Sequence, residues 1–194
     1  MSPAKYLALP ELIDKIEEPN RTSSCRLWKD HQEIFSIARG SKANHQSWPG
    51  GYLDHLVEVM NIAVVLYEPL NILRPLPFTL SDALLVLYLH DLEKPWKYGK
   101  NEKGDWEFIP KFKERSKIKA FTEQKIKEYG FALTKDHHNG LEFVEGEFEK
   151  WSPSKRTQGP LAAFCHMCDN WSARGWYEYP STENDPWQGA RRNG

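Results

Sequence analysis

Residues 51–68 read GYLDHLVEVMNIAVVLYE and form the most apolar segment of the chain. Their length and apolar character predict a helix in the hydrophobic core. A second apolar segment, SDALLVLYLHDLE, follows at residues 81–93. It begins with Ser81, a predicted N-cap, and Pro95 prevents the helix from continuing much further. These two segments predict a fold built around buried helices.

Helix signals also dominate the rest of the chain. Proline at a first helical turn and glycine after a last turn mark several boundaries. The predicted helices lie at residues 10–18, 26–38, 116–129 and 160–174. Residues 97–110, KYGKNEKGDWEFIP, are predicted to form a short hairpin around Gly104. We therefore expect an all-α bundle with about six or more helices and at most a short β-hairpin.

Length and composition restrict the protein class. The 194 residues fit one domain, with a motif-bearing core at about 45–174 and an extended tail at 177–194. A net charge of −1 does not favour nucleic-acid or membrane binding. We expect no transmembrane helix, because no apolar run of about 18 residues is evident. We also expect no signal peptide, because the N-terminal residues lack an apolar h-region. Three cysteines cannot all pair with one another, which favours a reduced, cytoplasmic protein.

Six of the seven histidines occupy distinctive positions. Two fall inside or at the end of the apolar segments, and the second is followed directly by Asp91. Two others are adjacent, and one lies at the start of HQSWPGG, before the first apolar segment. The last precedes Asp169 by three residues, so its side chain and that of Asp169 share one helical face. The six are His45, His55, His90, His137, His138 and His166.

Imidazoles and carboxylates inside apolar helices are costly unless they are paired or bind a metal. Any one of these histidines is more often a packed or hydrogen-bonded residue than a ligand. Taken together, His55, His90–Asp91 and Asp169 favour a site for Mn, Fe, Co, Ni, Zn or Mg. The CHMC run around His166 could suggest zinc, but a helical pair of cysteines without a second CxxC is more often part of the core.

The order H…HD…D resembles the signature of the HD superfamily of metal-dependent phosphohydrolases. The segment HQSWPGGYLDHLVEV, residues 45–59, resembles an H-x-x-x-P-G-G-L-x-x-H motif found in a subset of that superfamily. LHDLEKPWKYG, residues 89–99, is similar to its L-H-D-hydrophobic-G-K motif, but Glu93 replaces the usual glycine. HHNGLEF, residues 137–143, with the helix that carries Asp169, resembles the later part of HD-domain 3′→5′ exoribonucleases.

The resemblance implies an all-helical hydrolase that holds one or two divalent ions. It implies that the first ion is bound by four residues: His55, His90, Asp91 and Asp169. Asp91 would bridge to a second ion if His137, His138 and His166 bind one. In the competing picture, one ion is present and those histidines contact the substrate phosphate. We expect Asp91, Lys94 and His137 to take part in catalysis, with Lys94 holding a phosphate oxygen as a point charge.

The sequence is compatible with three functions. The first is hydrolysis of a nucleotide phosphoester or phosphoanhydride, as in deoxynucleotide phosphohydrolases or cyclic-nucleotide phosphodiesterases. The second is a metal-dependent nuclease for short RNA or single-stranded DNA. Residues 111–127 are rich in lysine and arginine, which suits a polyanion but is more typical of a solvated helix face. The third is a non-catalytic nucleotide-binding HD module, for which Glu93 is the supporting feature. The oligomeric state is not predicted.

Overall fold

The fold is given by a computed structural model that describes residues 5–41, 45–100 and 106–175. These residues are mostly helical, which confirms the predicted all-α class. The helices are α1 (Leu9–Ile13), α2 (Asn20–Ile37), α3 (Gly51–Leu73), α4 (Leu80–Leu89), α5 (Lys94–Lys97), α6 (Arg115–Tyr129), α7 (Lys135–Phe143) and α8 (Pro160–Arg174). Short 3-10 turns cover Pro110–Phe112 and Phe148–Lys150.

The predicted short hairpin is confirmed. Strand β1 (Tyr98–Lys100) pairs antiparallel with β2 (Trp106–Phe108), and Gly99 lies opposite Glu107. Its turn, with Gly104, lies outside the described residues, as does the predicted tail at 177–194.

Helix α3 lies at the centre of the fold. It packs against α2, α4 and α8, while α7 packs against α4 and α8. Among the described helices, α3 has the length and composition of a membrane span, with a mean hydropathy of 1.5 over 18 residues. The prediction that no segment is long and apolar enough to span a membrane was therefore wrong. Core helices of folded domains pass the same test, and several of its polar residues, including Asp54 and Glu58, are buried within the fold.

The predicted helix boundaries were accurate where proline and glycine mark them. Helix α8 begins at Pro160 and ends before Gly175, and α6 ends at Gly130, which adopts a left-handed conformation with φ of 73°. Elsewhere the boundaries were less accurate, because the helix predicted at 10–18 ends at Ile13 and the one predicted at 26–38 begins at Asn20. Thr79, not Ser81, is the N-cap of α4, because its side chain accepts from the Asp82 amide. Helix α7 was not predicted, because polar residues dominate its first turns.

Gly50 and Gly51, the N-cap and first residue of α3, are needed for different structural reasons. Gly50 has a φ of 85°, which favours a residue without a Cβ atom. At Gly51 a Cβ atom would lie 1.9 Å from the carbonyl oxygen of Gln46. The loop before α3 therefore approaches the start of the helix too closely for any side chain at residue 51. This approach positions the first turns of α3.

The substitution Gly51→Ala should destabilise the fold by about 3 kcal/mol, because backbone atoms of the loop must move to admit the methyl group. Chemical denaturation measures this loss. Gly99→Ala is the matched control, since its Cβ atom would meet Ile109 at 3.4 Å, an ordinary contact. Equal stabilities for the two variants would contradict this account of the loop.

Candidate metal centre

Three helices bring the predicted ligands together at one place. His55 lies in the second turn of α3, His90 directly follows α4, and Asp169 lies on α8. The Nε2 atom of His55 is 3.1 Å from Oδ1 of Asp169 and 3.4 Å from Nε2 of His90. One donor atom from each of these residues lies within 4.8 Å of the other two. His55, His90 and Asp169 therefore form a group that could hold a metal ion.

The spacing of these atoms fits a coordination shell. Ligand atoms about 2.0–2.2 Å from one ion are separated from each other by roughly 3–3.5 Å. The imidazole of His90 is also oriented for this purpose. Its Nδ1 lies 2.6 Å from the carbonyl oxygen of Leu87, which can only accept. Nδ1 therefore donates, and Nε2 is the nitrogen that faces the carboxylates and can bind an ion.

Asp91 lies beside the same group. Its Oδ2 is 3.5 Å from Nε2 of His55 and 3.2 Å from Nε2 of His90. The Nζ atom of Lys94 is 2.5 Å from the same oxygen. In this structure, a lysine ammonium therefore occupies one direction of approach to Asp91.

Opposite charges offset one another in this buried site. Burial raises the pKa of the Asp91 carboxyl, but the charges of Lys94 and His90 outweigh burial and hold it well below its usual range. Burial lowers the pKa of His90, but Asp91 and Asp169 outweigh that effect and raise it well above its usual value. Burial also lowers the pKa of Lys94, while Asp91 raises it, and the net shift is upward. Two carboxylates thus lie beside an imidazolium and an ammonium of opposite charge.

Glu93 stands where the resembling motif usually has glycine, and the fold accommodates its side chain. The carboxylate is buried and lies 3.1 Å from Nζ of Lys97, one turn further along. Burial and the nearby Asp91 raise the pKa of Glu93. A glycine at this position would carry no charge, whereas the Glu93 carboxylate has Lys97 as its partner.

His45 lies next to the ligand group, although it was not among the predicted ligands or catalytic residues. Its ring centre is 5.2 Å from that of His55. Burial, with the nearby charge of Lys94, lowers the pKa of His45 to about 4, so its imidazole is neutral at pH 7. Ser172 was also missed. Its Oγ lies 3.1 Å from Nδ1 of His55, and a serine on a helix gives no sequence signal of such a contact.

His137 lies away from the ligand group. Thr134 is the N-cap of α7, and the Thr134 amide donates to Nδ1 of His137 at 3.1 Å. Its Nε2 lies 2.9 Å from Oδ1 of Asp82 in the first turn of α4. His90 follows the opposite end of that helix, about 12 Å further along at 1.5 Å per residue. In this structure both ring nitrogens of His137 serve in helix capping, so the geometry does not support its predicted role as a ligand or catalytic residue.

The other two candidate histidines do not join the group of three within the described residues. His138 is exposed on α7. His166 is half-buried, and its Nδ1 lies 2.6 Å from the carbonyl oxygen of Val144. A role for either of them as a metal ligand stays a prediction.

The cysteines and aromatic residues near these motifs serve in packing. Cys165 and Cys168 are buried in the hydrophobic core. Burial raises the pKa of Cys168 to about 12, which disfavours the thiolate that binds zinc. Trp48 donates from Nε1 to Oδ2 of Asp54 at 2.7 Å. Trp96 packs against the rings of Phe35 and Phe121.

Comparison of the chain with protein-family models, curated proteins and solved structures gives no match.

The substitution His137→Ala should lower the free energy of unfolding by about 1–3 kcal/mol while leaving metal affinity unchanged. It removes the acceptor for the Thr134 amide and the partner of Asp82, both of which cap helices. Chemical denaturation and zinc titration measure the two effects. Lys135→Ala, an exposed position in the first turn of α7, is the control and should change neither quantity. Loss of zinc binding in His137→Ala would restore His137 as a ligand.

Proposed function

We propose that this chain is a metal-dependent phosphohydrolase that resembles the HD superfamily and cleaves a phosphoester or phosphoanhydride of a nucleotide. One observation carries the proposal: two imidazole nitrogens and two carboxylates converge from three helices at distances of 3.1–3.6 Å. The residues occur along the chain in the order His, His-Asp, Asp. Packing alone gives no reason to gather these four groups at one interior point.

In this proposal, His55, His90, Asp91 and Asp169 hold a divalent ion. The donor set of two imidazoles and two carboxylates suits Mn, Fe, Co, Ni or Zn. When bound, the ion lowers the pKa of water and neutralises charge on phosphoryl oxygens. His90 must give up its Nε2 proton to act as a ligand, and its Nδ1 keeps the other proton through the bond to Leu87.

Lys94 supplies a second positive centre in this proposal. Its ammonium is buried beside Asp91 and remains charged because the carboxylate raises its pKa. A fixed point charge there can hold a phosphate oxygen. His45, which is neutral at pH 7, adds an imidazole at the site without adding charge. The chain thus offers groups both to bind an ion and to receive a phosphate.

A nuclease for short RNA or single-stranded DNA is the second candidate. Its supporting observation is the basic stretch at residues 111–127, most of whose lysines are exposed. Phe121 of this stretch contacts Trp96 on α5, the helix that begins with Lys94. A polyanionic strand could therefore extend from Lys94 along α6. A non-catalytic nucleotide-binding module is the third candidate.

A screen with purified protein and Mn, Co, Ni, Mg or Zn separates the three candidates. The substrates are nucleoside triphosphates, cyclic nucleotides and short oligonucleotides, and chromatography detects the products. Turnover of nucleotides alone supports the proposal, and turnover of oligonucleotides alone supports the nuclease. Metal and nucleotide binding without turnover supports the non-catalytic module.

The substitution Asp91→Asn should reduce metal affinity at least about 100-fold and abolish hydrolysis. An amide keeps the volume of the carboxylate but carries no charge, and the remaining ligands hold the ion poorly. Elemental analysis and the chromatographic assay measure these effects. Asp136→Ala, an exposed position on α7, is the control and should resemble wild type. Equal metal content in wild type and Asp91→Asn would refute the proposed site.

A further inference from the structure

The second ring nitrogen of His55 faces a buried polar network. His55 is fully buried, and so is Ser172, which lies three residues after Asp169 on α8. Nδ1 of His55 is 3.1 Å from Oγ of Ser172. The same Oγ lies 2.8 Å from Oε2 of Glu58, also buried. One helix therefore supplies both a carboxylate toward Nε2 of His55 and a hydroxyl toward Nδ1.

The direction of each hydrogen bond in this network follows from its partners. A carboxylate oxygen accepts, so the hydroxyl hydrogen of Ser172 points to Glu58. The Ser172 oxygen can then only accept from His55, and Nδ1 must donate. A neutral imidazole carries one ring proton, which leaves Nε2 with a lone pair directed at Asp169 and Asp91.

Gln46 is a further hydrogen-bond partner of Ser172. Its Nε2 lies 3.1 Å from the carbonyl oxygen of Ser172. Because that oxygen can only accept, the Gln46 amide is oriented with its nitrogen toward Ser172. The same Nε2 lies 3.3 Å from Oγ of Ser172 and donates to it as well. Its Oε1 is 2.6 Å from Nδ1 of His45. Gln46 thus donates to the Ser172 oxygen, which agrees with a hydroxyl hydrogen directed at Glu58.

We propose that Ser172 and Glu58 are positioning residues that hold His55 in the Nδ1–H tautomer and so keep Nε2 as a metal ligand. This inference rests on the proposed metal-dependent function. Its physical reason is competition at Nε2. Asp169 and Asp91 lie 3.1 and 3.5 Å from that nitrogen and would themselves favour a proton there. The acceptor at Ser172, fixed by Glu58, favours the opposite tautomer.

The two imidazoles of the site use different acceptors. Nδ1 of His90 donates to a backbone carbonyl, which no substitution at that position removes. Nδ1 of His55 depends on a side-chain hydroxyl. Ser172 is therefore the point at which the tautomer of a proposed ligand can be changed by mutation.

The test measures Zn²⁺ affinity of the full chain by competition with a chromophoric chelator. Ser172→Ala should bind Zn²⁺ about 10- to 100-fold more weakly than wild type. Ser24→Ala, which also removes a buried serine hydroxyl but on α2, is the matched control and should bind like wild type. Nitrogen-15 spectra of the histidine rings in zinc-loaded wild type should report a proton on Nδ1 of His55 and zinc on Nε2.

Glu58→Gln provides a second variant that keeps Ser172 and the side-chain volume. Its amide can donate to Ser172, so the direction of the network is no longer fixed, and Zn²⁺ affinity should again fall at least about 10-fold. Wild-type affinity in a folded Ser172→Ala or Glu58→Gln protein, or zinc on Nδ1 of His55, would overturn the inference while leaving the metal site intact. Absence of Zn²⁺ binding in wild type would instead overturn the proposed function together with this inference.

Discussion

The meeting of Asp91 and Asp169 with two imidazoles inside the bundle is the constraint on which the structure depends. Carboxylates in a low-dielectric interior repel one another and are unfavourable without compensating charge. His90 and Lys94 provide that charge, and both stay protonated because of the acids that surround them. The start of α3, the end of α4 and the second half of α8 meet at this group of charges.

Much of this arrangement could be predicted from the sequence. The long apolar segment at residues 51–68 predicted α3, and helical patterns that end at a glycine predicted α6 and α8. His55, His90–Asp91 and Asp169 stood out because charged and imidazole groups are rare inside apolar helices. The resemblance of their order to the HD signature predicted that they lie together, although α3, α4 and α8 are far apart in sequence.

The remainder depends on contacts that leave no local pattern. His137 was predicted as a ligand because it is adjacent to His138 in a segment that resembles HD exoribonucleases, yet its ring contacts Thr134 and Asp82 in helix capping. Helix α7 escaped prediction because its polar first turns are stabilised by that cap. Ser172 is an ordinary helical serine in sequence, and its contact with His55 exists only because α8 crosses α3 at that point.

The ion pair between Lys94 and Asp91 has a consequence for the order of assembly. The candidate ligands are far apart in the sequence, on or beside three helices, so an ion does not gather them in an unfolded chain as it does in a zinc finger. The lysine ammonium balances the charge of Asp91, so neutralising this carboxylate does not require an ion, and the bundle can reach its native topology before one binds. Under the proposed function, loading is then a separate last step, and empty and loaded molecules exchange without unfolding.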